Sequence, residues 1–209
     1  MELTKVLKPE VKPRELYAWA MYDFANSGYT TVVLTTVFSA YFVGVVAQDY
    51  TWATLLLTLT LSTSYLLLML SLPAIGARAD RNRNKKWVLF FSTCLCVLAT
   101  AALAFSGPGY VVWAVVFLLC SNYAYGVGEA VIASFLPEIA RREALGRVSG
   151  WGWGFGYLGG MLTLSLAILI VAGFEGRGLG AEYSVPWVMI LTASVFLIMA
   201  LPALIFLRQ

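Results

Sequence analysis

Residues 87–128 read WVLFFSTCLCVLATAALAFSGPGYVVWAVVFLLCSNYAYGVG, 42 consecutive positions without a charged side chain. A helix needs about 20 apolar residues to cross the hydrocarbon core of a bilayer, so this stretch holds two crossings. Ser106-Gly107-Pro108-Gly109 interrupts it near the middle and supplies the turn. Outward from this stretch, charge-free gaps of 28, 27 and 25 residues separate Asp49 from Arg78, Arg147 from Glu175 and Glu182 from Arg208. A further apolar span, Tyr17 to Val46, contains one charge, Asp23. The expected crossings are therefore six, at about 17–46, 53–76, 87–105, 110–134, 149–173 and 186–207. Helices satisfy their own backbone in lipid, which makes the chain an all-α membrane protein of a single six-helix bundle, residues 1–209.

Composition agrees. Hydrophobic residues make up 60% of the chain and charged residues 12%, about half of the roughly 25% usual in soluble domains. The first span is too long for the apolar region of a signal peptide, holds an aspartate, and is followed by five more. Cys94, Cys96 and Cys120 all fall within spans and suit neither a disulfide framework nor a zinc site. The chain has no histidine, which removes Ser-His and Cys-His dyads and the usual metal-ligand sets. No cofactor, no metal and no enzymatic activity are expected.

Basic residues set the orientation. Lys5, Lys8, Lys12 and Arg14 precede the first span; Arg78, Arg81, Arg83, Lys85 and Lys86 follow the second. Arg141, Arg142 and Arg147 follow the fourth, and Arg208 follows the sixth. These segments lie on one side and hold 13 of the 14 basic residues, leaving Arg177 on the other. The positive-inside rule then places both termini in the cytoplasm, with the cell membrane as the expected location. The net charge of +3 is a topology signal and not a nucleic-acid footprint. Trp19, Trp52, Trp87, Trp113, Trp151, Trp153 and Trp187 all lie near span ends, where indole rings anchor at the headgroup level.

A charge at bilayer depth costs several kcal/mol, about 2.5–3.5 on translocon scales, and normally faces protein or a watery cavity. Asp23, Asn26, Ser27 and Thr30 follow i, i+3, i+4, i+7 spacing and share one face of the first helix. Asn122, Tyr125 and Glu129 form a second stripe on the fourth. With a rise of 1.5 Å per residue, Asp23 and Glu129 each sit roughly 8–9 Å inside the cytoplasmic boundary. The two stripes are candidates to line one cavity for substrate, and the two carboxylates to carry protons. The blander possibilities are a backbone tie for Asp23 and an arginine partner for Glu129.

Gly76-Ala77-Arg78-Ala79-Asp80-Arg81-Asn82-Arg83-Asn84-Lys85-Lys86 joins the second and third spans. It resembles the loop signature of the major facilitator superfamily, in which the Gly permits close helix approach and the Asp-Arg pair forms a charge latch. Gly76, Asp80 and Arg81 match and are the implied gating residues. The second glycine of the pattern is replaced by Arg83 and the next basic position by Asn84, which puts the usual tight turn in question. Tyr22-Asp23-Phe24-Ala25-Asn26-Ser27, Leu136-Pro137-Glu138-Ile139-Ala140 and the glycine-rich run Arg147 to Gly160 narrow the resemblance to the vacuole-effluxer-like branch. That branch implies efflux of amino acids, with helices one and four lining the central cavity. Gly152, Gly156 and Gly160 repeat every four residues on the fifth helix, leaving one face bare for close packing.

In that superfamily two six-helix halves surround the substrate. The chain reads as one half, whose cavity face would otherwise meet lipid. Its expected partners are the bilayer, a small-molecule substrate and a second six-helix half: a missing carboxy-terminal half, a partner chain, or a second copy. The expected function is a half-length secondary transporter of small solutes, foremost amino acids, working by alternating access with proton coupling. The alternative is a membrane interaction or assembly protein derived from a transporter half that no longer transports.

Overall fold

The computed structural model describes residues 6–207; Lys5 and Arg208, both counted in the topology, lie outside them. Six helices are long and apolar enough to cross a membrane. We label them α1 (Pro13–Val46), α2 (Ala53–Arg81), α3 (Lys85–Ala102), α4 (Val111–Ala133), α5 (Leu145–Glu175) and α6 (Ala181–Phe206). Pro13 opens α1, where a missing N–H costs nothing, and the Glu15 side chain accepts from the Lys12 amide at 3.2 Å. Pro73 in α2 and Pro186 and Pro202 in α6 lie inside their helices, as is tolerated among neighbouring spans.

The packing has a repeat that the sequence does not display. α1 packs against α5 and α6, and α4 packs against α2 and α3, while α3 and α6 meet each other. Each three-helix set thus inserts its first helix between the second and third of the other set, the arrangement of an inverted repeat. α1 and α4 become the inner helices, and α4 is the most buried of the six. α2 and α5 are the least buried, presenting Leu59, Leu66 and Met69, and Leu158, Met161 and Leu162, outward.

α1 is not a regular helix. Its α-helical first part ends at Tyr29; Thr30–Thr35 and Phe42–Val46 are π-helical, with Thr36 at φ −123°, ψ −85° between them. Threonine and serine hydroxyls take up the loosened carbonyls: Thr36 Oγ1 donates to Thr31 O at 2.5 Å, and Ser39 Oγ to Leu34 O at 2.7 Å. Its far end is tied to the α3–α4 turn. Tyr41 Oη donates to Ser106 O at 2.8 Å, and the Gly109 amide donates to Val46 O at 3.0 Å. Gly109 stands at φ 80°, where only glycine is unstrained.

At the opposite end the basic segments converge. The amino-terminal segment forms one antiparallel bridge, Leu7 to Ala140. The Lys8 amide donates to Ile139 O at 3.1 Å, the Arg141 amide to Val6 O at 2.9 Å, and Arg141 Nε to Leu7 O at 2.8 Å. Lys86 Nζ donates to Ile205 O and Leu207 O at the carboxyl end of α6, at 3.1 and 3.0 Å, and so caps orphan carbonyls there. Nothing in the periodicity of the sequence announced the amino-terminal strap. A hydrogen bond to a charged donor contributes about 1.5–3 kcal/mol. Arg141→Ala is therefore expected to speed exchange of the Lys8 amide about tenfold or more, read by hydrogen exchange, with the helices unchanged.

One expectation is corrected here. Trp19 is not a headgroup anchor: it is 7% exposed, and its Nε1 donates to Ile132 O of α4 at 3.0 Å. A buried indole needs an acceptor, and the end of α4 offers one. Trp52, Trp87, Trp113, Trp153 and Trp187 remain exposed.

Candidate functional site

The α1–α5 crossing sets the geometry of the site. A Cβ added at Gly156 would come within 2.8 Å of Asp23 Oδ2 and 2.9 Å of Ser27 Oγ, and one at Gly160 within 2.8 Å of Thr31 Oγ1. At Gly152 it would enter the Trp19 ring, and at Gly159 the backbone carbonyl of Phe24. Gly28 reciprocates from α1, where a Cβ would lie 2.7 Å from Thr163 Oγ1. Gly159, which lies outside the four-residue repeat, faces backbone and so makes the tightest approach of the set. The bare face of α5 lets the polar face of α1 come close.

The remaining side chains of the Tyr22–Ser27 stretch divide between the two faces of α1. Tyr22 Oη shares a hydrogen bond with Thr93 Oγ1 of α3 at 2.9 Å, and Phe24 packs on Phe155 of α5 with ring centres 5.5 Å apart. Asp23, Asn26, Ser27 and Thr30 face a cleft of about 170 Å³, closed by Tyr125 and Glu129 of α4. Trp153 and Tyr157 of α5, one turn apart and in edge contact at 6.1 Å, form its rim. Asp23, Tyr125 and Glu129 thus line the same cleft, two carboxylates and a phenol from the two inner helices. Tyr29 stacks on Tyr125 at 5.1 Å and bonds Ser121 Oγ at 2.8 Å, which fixes the tyrosine wall.

Six of the seven residues of the two stripes thus meet at one cleft: Asp23, Asn26, Ser27, Thr30, Tyr125 and Glu129. Asn122 does not. It is buried against α2, where its Nδ2 donates to Ser64 Oγ; it shares the Tyr125–Glu129 face but lies about two turns along α4 from Glu129. Thr30 is partly committed, its hydroxyl donating to Asn26 O at 3.0 Å. Trp153 and Tyr157 were not singled out as site residues. Their i, i+4 spacing on the same helix as the glycine run was the available signal.

The loop residues act differently from the latch that the resemblance implied. Gly76 has no neighbour that a Cβ would touch. Asp80 pairs with Lys85 at 2.9 Å, and Lys85 reaches on to Glu138 at 2.8 Å, joining the α2–α3 loop to the Leu136–Ile139 turn after α4. Arg83 adopts φ 50°, the left-handed conformation glycine would favour, so the tight turn forms with arginine in the glycine's place. Arg81 lines a broad, mainly apolar groove between α2, α3 and α4, beside Arg78 and Trp87.

Six membrane-length helices, an inner pair among them and a shared polar cleft make the chain a six-helix membrane bundle with one polar site between its inner helices. The family model described as "Vacuole effluxer Atg22 like" matches residues 41–146, and the chain belongs to that family. It is also similar to a protein of Bacillus subtilis (strain 168) described as "Uncharacterized MFS-type transporter YxiO", 27% identical over 163 residues. That alignment covers 76% of this chain and 38% of the relative, so the chain spans well under two thirds of that protein's length.

Proposed function

We propose that this chain is the amino-terminal six-helix half of a secondary transporter that moves small solutes, amino acids foremost, by alternating access. The observation that carries the reading is the Asp23–Glu129 cleft. Two carboxylates cluster with Asn26, Thr30 and Tyr125 on the two inner helices of an otherwise apolar bundle. Such groups are costly in lipid and persist where a solute or proton passes. A volume of about 170 Å³ is below the roughly 300 Å³ at which ordinary ligand pockets begin, which fits half of a site completed by a second bundle. The exposed apolar faces of α2 and α5 are the surfaces on which that bundle would close. Convergence of the basic segments at one end supports cytoplasmic termini in the cell membrane.

The π-helical turn of α1 begins at Thr30, at the edge of the cleft. Such turns recur at functional sites, and here one gives α1 a joint between its cleft-lining part and its outer end. The test is amino-acid flux into proteoliposomes holding this chain with its second half, with and without an imposed pH gradient. Saturable flux accelerated by the gradient is expected. Absence of any saturable flux across a panel of amino acids would leave the chain as a non-transporting assembly protein.

A further inference from the structure

Asn26 is 3% exposed, and neither atom of its carboxamide has a hydrogen-bond partner. Buried amide groups are normally satisfied, since leaving one unmade costs the full desolvation of the group. This one stands in the wall of the cleft, three residues along α1 from Asp23 and across from Glu129. The nearby Thr30 hydroxyl is already committed to Asn26 O. Its Oδ1, beside two carboxylates, is open to a donor, and its Nδ2 is open to an acceptor.

We propose that this cleft is an ammonium subsite: it binds the protonated primary amine of the transported solute through Asp23, Glu129 and Asn26 Oδ1. A primary ammonium has three N–H donors and no acceptor, and the cleft offers three acceptor side chains. None of the side chains lining it is basic, so it offers a carboxylate no cationic partner, and two carboxylates repel one. Trp153, Tyr157 and Tyr125 supply ring faces, which attract a cation and exclude an anion. The proposal rests on the reading of the cleft as a solute site and specifies which end of the solute this half takes. The acidic end of a zwitterion would be met by groups from the second half, and a simple amine would need only this half.

The test is saturation-transfer NMR on the chain in lipid nanodiscs, using four probes that share one carbon skeleton. They are leucine, 3-methylbutylamine, the N,N,N-trimethyl derivative of that amine, and 4-methylpentanoate. Saturable binding of the amine is expected, with the trimethyl derivative and the carboxylate at least about tenfold weaker, because each lacks the three N–H donors. Loss of one hydrogen bond to a charged group corresponds to roughly tenfold to hundredfold in affinity, so Asp23→Asn and Glu129→Gln should each fall in that range for the amine. Asn26→Leu should weaken amine binding several-fold and at the same time raise the melting temperature of the ligand-free protein, since it removes an orphaned polar group. A purely structural asparagine would lower that temperature instead. Equal binding of carboxylate and amine, or unchanged amine affinity in Asn26→Leu, would overturn the subsite. Amine binding without flux of any amino acid would sink the transporter reading alone, whereas equal flux of 4-methylpentanoate and leucine would sink the subsite alone.

Discussion

Gly159→Val is expected to separate α1 from α5 and abolish the native bundle, whereas Gly154→Ala is expected to leave it intact. A Cβ at Gly159 would penetrate the Phe24 carbonyl and approach the Phe24 Cα within 2.8 Å. Side chains can rotate away from a new methyl group, but backbone cannot, so the two helices would have to move apart. Overpacking a tight interface costs about 1–3 kcal/mol, and contact with backbone puts this site at the upper end. Better helix propensity returns at most about 1 kcal/mol of that for an alanine, and less for a β-branched valine. Gly154 and Gly150 sit on the same helix with nothing within 4 Å, so an alanine there meets no neighbour. Unfolding in a detergent titration would show the difference: a large downward shift for Gly159→Val, an intermediate one for Gly156→Ala, and none or a small upward one for Gly154→Ala. Equal stability of Gly159→Val and Gly154→Ala would mean that the close crossing is not what holds α1 in place.

The bundle was legible because charge is so costly in lipid that its absence marks each span. The Ser106–Gly109 turn and the shared cleft of Asp23 and Glu129 follow from the same rule combined with helical spacing, while the inner position of α1 and α4 was implied by the family resemblance. Details that depend on contact between distant residues were not. Trp19 looked like its six counterparts until Ile132 O appeared as its partner. Asn122 shared a helix face with Tyr125 by count but was claimed by Ser64. The π-helical turns of α1 leave no periodic trace, since Thr30–Thr35 is apolar or hydroxylated throughout. The strap at Leu7 and Ala140 joins segments more than 130 residues apart, and one β-bridge has no pattern to display. Gly159 escaped a search for four-residue repeats because the closest helix approach falls between two repeat positions.

Asp23→Asn and Glu129→Gln are expected to uncouple flux from the pH gradient, and Asp23→Asn to do so more completely. Both replacements keep shape and hydrogen-bonding capacity while removing the exchangeable proton. Asp23 is held by α5: Gly156 leaves its carboxylate room, and Asn26 and Thr30 adjoin it on the same face. Glu129 is exposed, whereas Asp23 is partly buried. If protons drive the transport proposed above, Asp23, the less exposed of the two carboxylates, is the one expected to carry the coupling. Amino-acid flux in Asp23→Asn should show no acceleration by an imposed gradient, with downhill exchange reduced about tenfold to hundredfold, the range for loss of one charged hydrogen bond. Glu129→Gln should retain part of the acceleration. The double variant should resemble Asp23→Asn alone, because groups that act as one unit are not additive. Full gradient-driven flux in Asp23→Asn would remove the carboxylate from the coupling mechanism and leave it as a contact for the solute only.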